Sequence, residues 1–482
     1  MRNIPFGKWT VLLVLLALVI GCKKDITKIE PPPRPGDGNR TEDQKVKDEI
    51  YNQYKRLSYW EEFIPVYNPA SSFTDQFNNA DAVLARLMSM TPQYTQYEFH
   101  PDRVGPLDHY SWIEYTDEEG SRASKADLAD GYGMVVYFIE DRKDSLYVGF
   151  VEGGSPAEAA GLERGDKIIE MAGDKKMVST NAEAIERYVQ QNTLPLTWIT
   201  KDNKTISKTL TYTTYDIQPF QLAKVFKEGT KEIAYIGLSS FEELTNGGRA
   251  TEMKNKIDQA FTDFAKTSAK DLIVDLRYNG GGYVSSAAYL LNKIVNSSGN
   301  NKLMFKYDLN KNLEEERAEG DTEFADEIFK KSSTTEFANV YFLTTFETAS
   351  AAEIIISALK PYANVKVLGY NGATYGKPVG FFREDITADI GLWAASFKII
   401  NAQDFTDYWD GIKCDYPYIY DNVEYDFGEP NEDMPGAAFN LITTGKIAAT
   451  QTTARSRVIK RSFSPQVRVP VNKRPVREMI KD

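Results

Sequence analysis

From Asp216 onward the chain alternates short apolar strands with helices, and this alternation confines the region to an α/β core. Residues 233–238 read as a strand and 253–264 as a helix. Residues 271–277 (DLIVDLR) read as a buried strand around the apolar run Leu272-Ile273-Val274. That strand runs into Asn279-Gly280-Gly281-Gly282, and a helix follows through Leu291. A polar, charge-rich insertion at about 299–335 comes next. Then come a strand at 340–344, a helix from Ser350 that stops before Pro361, and a strand at 365–369.

Three places in this core carry residues suited to chemistry. In Thr348-Ala349-Ser350-Ala351-Ala352-Glu353, a helix starting near Ser350 sets a hydroxyl beside free backbone N–H groups. A serine nucleophile needs that arrangement, because the N–H groups can hold a developing oxyanion. Ser350 and Glu353 also form the S-x-x-E pattern of a capping box, so a purely structural reading stands beside it. The glycine run after 271–277 can present N–H groups to an oxyanion at a strand's C-terminal end, or be a plain turn. In Gly372-Ala373-Thr374-Tyr375-Gly376-Lys377-Pro378, the lysine follows small residues and precedes an apolar stretch. Drawn into the interior, its amine would have a lowered pKa and could act as a general base; left in water it is an ordinary surface lysine. The two histidines, His100 and His109, lie in an aromatic loop and leave a Ser–His pairing open beside a structural role. No His/Cys cluster has metal-ligand spacing, so neither metal nor cofactor is expected.

At 482 residues and 42% hydrophobic, the chain can bury two or three cores. A formal charge of −12 argues against a general nucleic-acid binder. The N-terminus reads as a leader: Arg2 and Lys8, an apolar run over 11–20, then Gly21-Cys22. The small residue before cysteine resembles a bacterial lipobox, which implies cleavage before Cys22 and lipid on its sulfur; a buried N-terminal helix is the alternative. Cleavage would remove two cations and no acid, taking the charge from −12 to −14. Only Cys414 would remain besides the anchor, so no intrachain disulfide is possible. The organisation expected is a leader at 1–21, a Pro-rich tether at 22–40, a helical cap at 41–118 and a β-rich unit at 128–212. The α/β core at 216–450 and a basic, solvated tail at 451–482 complete it.

The β-rich unit resembles a PDZ domain in the order found in bacterial proteases. Gly131-Tyr132-Gly133-Met134 leads into a strand, followed by Ser155-Pro156-Ala157-Glu158-Ala159-Ala160-Gly161-Leu162 and Gly165-Asp166-Lys167-Ile168. Such a unit captures peptides by strand addition and holds a terminal carboxylate on backbone N–H groups, here at Gly131, Tyr132, Gly133 and Met134. A β-scaffold without ligand is the alternative.

D-L-R-x-N-x-G-G, then T-A-S-A-x-E, then T-x-G-K, downstream of this unit, resembles the carboxyl-terminal processing (tail-specific) proteases over about 108–442. The resemblance implies a multidomain α/β (α+β) chain: a crotonase-like protease core, an inserted PDZ domain and an N-terminal helical cap. It implies Ser350 as nucleophile, Lys377 as general base, and an oxyanion hole from the N–H groups of Gly281 and Ala351. Many members carry a glutamine four residues after the lysine, where this chain has Phe381. The expected function is therefore a serine endopeptidase acting on protein C-termini, with a catalytically weak or inactive tail-binding lipoprotein as the alternative. The expected setting is a bacterial envelope, lipid-anchored through Cys22 at the periplasmic face of the outer membrane, with protein or peptide substrates and no nucleic acid.

Overall fold

A computed structural model describes residues 40–115, 128–139, 145–320, 323–447 and 479–480. The expected leader, the lipidation candidate Cys22, the tether up to residue 39 and the basic tail apart from 479–480 lie outside the described residues.

The first helix, α1 (Glu42–Leu57), starts where Thr41 accepts the Gln44 N–H and the Gln44 side chain accepts the Thr41 N–H, a reciprocal capping box. Helix α2 (Ala80–Met88) is capped by Asn79. Their apolar faces do not form a separate core: Ile50, Leu57 and Val83 belong to the same buried cluster as Ile236 and Val274.

The β-rich unit is a five-stranded antiparallel sheet in sequential order: β1 (Met134–Ile139), β2 (Ser145–Val151), β3 (Lys167–Met171), β4 (Thr193–Ile199) and β5 (Thr205–Thr211). Alternation along β1 divides its side chains. Met134, Val136 and Phe138 enter the unit's own core, while Val135 and Tyr137 pack with Phe150 and Tyr278. Edge strand β1 is therefore covered on both faces.

The second five-stranded sheet runs β6 (Phe220–Glu228), β7 (Lys231–Leu238), β8 (Asp271–Asp275), β10 (Asn339–Thr344) and β11 (Asn364–Gly369). Between β8 and β10 in the chain lies the two-residue strand β9 (Gly282–Tyr283), outside this sheet. The β6–β7 pair is antiparallel and the rest are parallel, in register Ile236, Val274, Phe342 and Val367. Period-two alternation splits the sheet between two layers. Ala234, Ile236, Leu272, Val274, Val340 and Phe342 face α3 (Glu252–Phe264), α4 (Val284–Ile294) and α5 (Ala351–Leu359). Ile233, Tyr235, Ile273, Tyr341 and Leu343 face α6 (Asp433–Thr444). Every residue of α5 is buried, Glu353 and Ser357 included. The polar insertion also holds regular structure: residues Leu303–Leu309 pair with Phe397–Asn401, and a helix at Lys311–Ala318 is capped by Asn310.

The β-rich unit is joined to this core by a buried charge cluster. Arg164 lies 2.5 Å from Asp421 and 3.1 Å from Glu432. Arg277, two residues past the end of β8, lies 2.6 Å from Asp275 and 2.7 Å from Asp421, and also pairs with Glu432. Two arginines face three acids, so one negative charge is in excess. Burial pushes Glu432 up to about 8 despite both arginines, whereas Arg164 and Arg277 hold Asp421 well below the usual carboxylate range. The folded protein thus keeps the Glu432 proton to higher pH than an unfolded chain, which loses it near 4.5. Stability from this site is full below the unfolded value and is lost as pH rises through about 8. Glu432→Gln, which cannot ionise, is expected to flatten that slope. In urea unfolding the midpoint of the native protein should fall more between about pH 5 and about pH 8 than that of the variant.

Candidate active site

The turn between β10 and α5 is laced to the glycine turn after β8. The Thr348 hydroxyl donates to the Leu276 carbonyl at 2.7 Å, and the Ala349 N–H donates to the Asn279 carbonyl at 3.1 Å. These ties hold Ser350 at φ +59° and ψ −121°, a conformation that L-residues avoid. Such strain costs about 1–3 kcal/mol and persists only where surrounding contacts impose it. The Ser350 hydroxyl is fully buried and makes no hydrogen bond among the described residues. Gly281, at φ +109°, lies against it: a Cβ there would sit 2.9 Å from the Ser350 Cβ and 3.1 Å from the Ala351 nitrogen. Ala351 opens α5, so its N–H has no acceptor within the helix. Ser350, Gly281 and Ala351, separated in sequence, therefore meet at one point.

Glu353 organises what lies behind them. Its carboxylate is fully buried and accepts four donors: the N–H groups of Ser350 (2.8 Å), Gly376 (2.8 Å) and Lys377 (2.9 Å), and the Thr374 hydroxyl. Burial pushes its pKa up, and the four hydrogen bonds oppose that by favouring the charged form. A capping glutamate would satisfy the helix start alone; this one also clamps the 374–377 loop to it.

Lys377 is fully buried. Its Nζ stands 4.6 Å from the ring centre of Phe381 and 5.2 Å from that of Tyr110. Phe381 is itself buried and packs on Trp112, with ring centres 5.5 Å apart. Where the family pattern places an amide, this chain offers an aromatic face, which attracts an ammonium and not a neutral amine. The loop is braced by the N-terminal segment. The Tyr110 hydroxyl donates to the Gly376 carbonyl at 2.9 Å, and Arg103 donates to the Tyr375 carbonyl while stacking 3.5 Å from the Tyr375 ring centre.

His100 is buried, with Nε2 at 2.9 Å from the Thr374 carbonyl oxygen, and burial lowers its pKa. His109 is exposed and places Nδ1 at 3.1 Å from the Pro106 carbonyl oxygen. Neither hydrogen-bonds Ser350. Because a carbonyl can only accept, His100 Nε2 and His109 Nδ1 serve as donors and not as bases for a serine. The candidate peptide loop, Gly131, Tyr132, Gly133 and Met134, is buried throughout: Gly131 pairs with Thr213, and Gly133 lies against Ser155 and Tyr215. Among the described residues no group of three or more His, Cys, Asp or Glu side chains could hold a metal ion.

Two features escape sequence reasoning. The Gly281 N–H, expected to face an oxyanion, donates instead to the Asn279 side-chain oxygen at 2.9 Å. Asn279 in turn donates to the Leu238 carbonyl at 3.1 Å. The role of Glu353 as a clamp was half visible as a cap, whereas the braces from Arg103 and Tyr110 have no local signature.

Three stability outcomes follow from this geometry. Ser350→Gly should stabilise the fold by about 1 kcal/mol, because relief of the strained backbone outweighs the added freedom of glycine. Ser350→Ala keeps the strain and should leave the denaturant midpoint near that of the native protein. Glu353→Gln keeps the shape but turns half of the acceptor into a donor facing N–H groups, so a loss of about 2–3 kcal/mol is expected by the same measurement.

Residues 232–416 match the model of peptidase family S41. The chain is 28% identical over 273 residues to the carboxy-terminal processing protease CtpA of Bacillus subtilis, covering 56% of this chain and 52% of that protein. A CtpA-like serine protease of Staphylococcus aureus is 24% identical over 277 residues, covering 56% and 49%. This chain thus spans about half the length of these two relatives. In three dimensions it resembles the crystal structure of a Bacteroides fragilis protein assigned as an S41 protease, at TM-score 0.60 and 22% identity, covering 82% of this chain and 96% of that one. That likeness concerns the fold. The α/β region over residues 232–416, with Ser350 and Lys377 inside it, is the part of the chain that matches the model of peptidase family S41.

Proposed function

We propose that the chain is a serine endopeptidase that binds C-terminal tails of envelope proteins through its β-rich unit, acting as a PDZ domain, and cleaves them with Ser350 and Lys377. The observation that carries this reading is a strained, buried and unbonded Ser350 hydroxyl beside Gly281 and the Ala351 N–H, yoked by Glu353 to the backbone of Lys377. Lys377 as the neutral amine takes the Ser350 proton while Oγ attacks the scissile carbonyl. The oxyanion is held by the N–H groups of Ala351 and Gly281, the latter once Asn279 releases it. Lys377 then gives its proton to the leaving amine, and water resolves the acyl-enzyme. Peptide capture at Gly131–Met134 requires that buried loop to open, so binding and exposure of the loop are one event. Anchoring through lipid on Cys22, at the periplasmic face of an outer membrane, belongs to the same proposal.

A catalytically weak tail-binding protein is the second reading. It is favoured by Phe381, whose ring prefers a charged Lys377, and by the engaged Gly281 N–H. The two readings part in a peptidase assay on an unfolded protein and in labelling by a serine-directed phosphonate. The proposal expects cleavage and labelling in the native chain, and a loss of about 10³-fold or more in Ser350→Ala and Lys377→Ala. His100→Ala should keep its nucleophile and remain open to labelling. Absence of both cleavage and labelling in the native chain would establish the second reading. Loss on His→Ala with retention in Lys377→Ala would show a Ser–His enzyme instead.

A further inference from the structure

The distal segment Met479–Ile480 (β12), expected to be part of a solvated tail, is paired with the strand beside the oxyanion glycine. We infer that the edge of β9 (Gly282–Tyr283) is where a substrate strand lies, and that β12 occupies this edge as an intramolecular competitor. The inference rests on the proteolytic reading for what is being competed with, though not for the docking itself.

β9 begins one residue after Gly281. One of its sides is closed by Phe241: the Tyr283 N–H donates to the Phe241 carbonyl at 2.8 Å, and the Phe241 N–H donates to the Gly281 carbonyl at 2.9 Å. The approach is so close that a Cβ on Gly282 would meet the Phe241 oxygen at 2.0 Å. The other side pairs in parallel with β12, Gly282 opposite Met479 and Tyr283 opposite Ile480. β12 also comes within 8 Å, Cα to Cα, of Val379–Gly380, two and three residues past Lys377. One short strand therefore bridges the segment that carries the oxyanion glycine and the segment that carries the lysine. A peptide presented to Ser350 has to enter the same place.

Strand addition of this kind draws affinity from the main chain and tolerates many side chains. An edge of two residues offers little by itself, but a tethered partner needs little. Residues 448–478 could reach as far as about 100 Å if extended, so the tether permits docking, and an intramolecular strand competes at an effective concentration of the order of millimolar. Met479-Ile480 is an apolar pair between Glu478 and Lys481, a short strand-forming unit within an otherwise basic segment.

The test compares the full chain with a chain ended at Glu478, both carrying Ser350→Ala. A fluorescein-labelled peptide of residues 471–482 is followed by anisotropy. The chain ended at Glu478 should bind the peptide, and the full chain should bind at least about tenfold more weakly. Met479→Pro with Ile480→Pro in the full chain should restore binding, since proline cannot donate to a ladder. Equal binding to both chains, or none to the shortened one, would overturn the inference. With Ser350 intact, shortening should raise kcat/KM on labelled unfolded casein by a similar factor. If no form cleaves casein yet the binding difference persists, the proteolytic reading fails and the docking stands. If all forms cleave equally and bind the peptide alike, the docking fails and the protease stands.

Discussion

The carboxylate of Glu353 is the point on which the site depends. Four donors converge on two fully buried oxygens: three backbone N–H groups and one hydroxyl, drawn from the start of α5 and from the 374–377 loop. Burying a charge is costly, and only a nearly complete set of donors makes it tolerable. The consequence is mechanical. Ser350 and Lys377 are 27 positions apart in sequence, yet their backbones hang from one rigid group. Side-chain rotations can vary the separation of hydroxyl and amine, but the two main chains cannot drift apart without leaving a buried charge uncompensated.

The strain at Ser350 fits this picture. A residue with φ +59° at the head of an all-buried helix is maintained by its surroundings, through Thr348 to Leu276, Ala349 to Asn279 and Ser350 to Glu353. Behind them the Arg164–Arg277–Asp275–Asp421–Glu432 cluster joins the β-rich unit to the end of β8, from which the glycine turn departs. Movement of the β-rich unit would pull on Arg164, whose carboxylate partners also hold Arg277, two residues before Asn279. The cluster is thus a physical route by which that unit and the oxyanion turn share a constraint.

The local parts of this arrangement were legible in the sequence. An apolar run, a turn and S-x-x-E followed by three isoleucines require a strand, a sharp bend and a buried helix, and β10 and α5 follow that pattern. The strand expected at 271–277 ends at Asp275, because Asp275 turns its carboxylate onto the Arg277 guanidinium and the chain bends there. The insertion at 299–335 looked merely polar, although Met304, Phe305, Tyr307 and Leu309 are buried; its charged neighbours masked the pattern. Contacts between distant segments left no trace. Neither Tyr110 on the Gly376 carbonyl nor β12 on β9 has a periodicity to read, and Asn279 taking the Gly281 N–H depends on a turn geometry that three glycines leave open.

These non-local contacts share a direction. Asn279 holds the Gly281 N–H, β12 covers the edge that follows it, and the candidate peptide loop is buried against Ser155 and Tyr215. Each is a modest interaction: one neutral hydrogen bond, a two-residue ladder and the packing of a short loop, worth about 1 kcal/mol per net hydrogen bond. The parts that must not move are tied by a buried carboxylate, and the parts that must make way for a peptide are held by weak, separable contacts. A peptide strand that displaced β12 would replace its main-chain bonds nearly one for one. The free energy needed to free the Gly281 N–H would then come from the oxyanion that takes the place of Asn279, a far stronger acceptor present only once Ser350 has attacked.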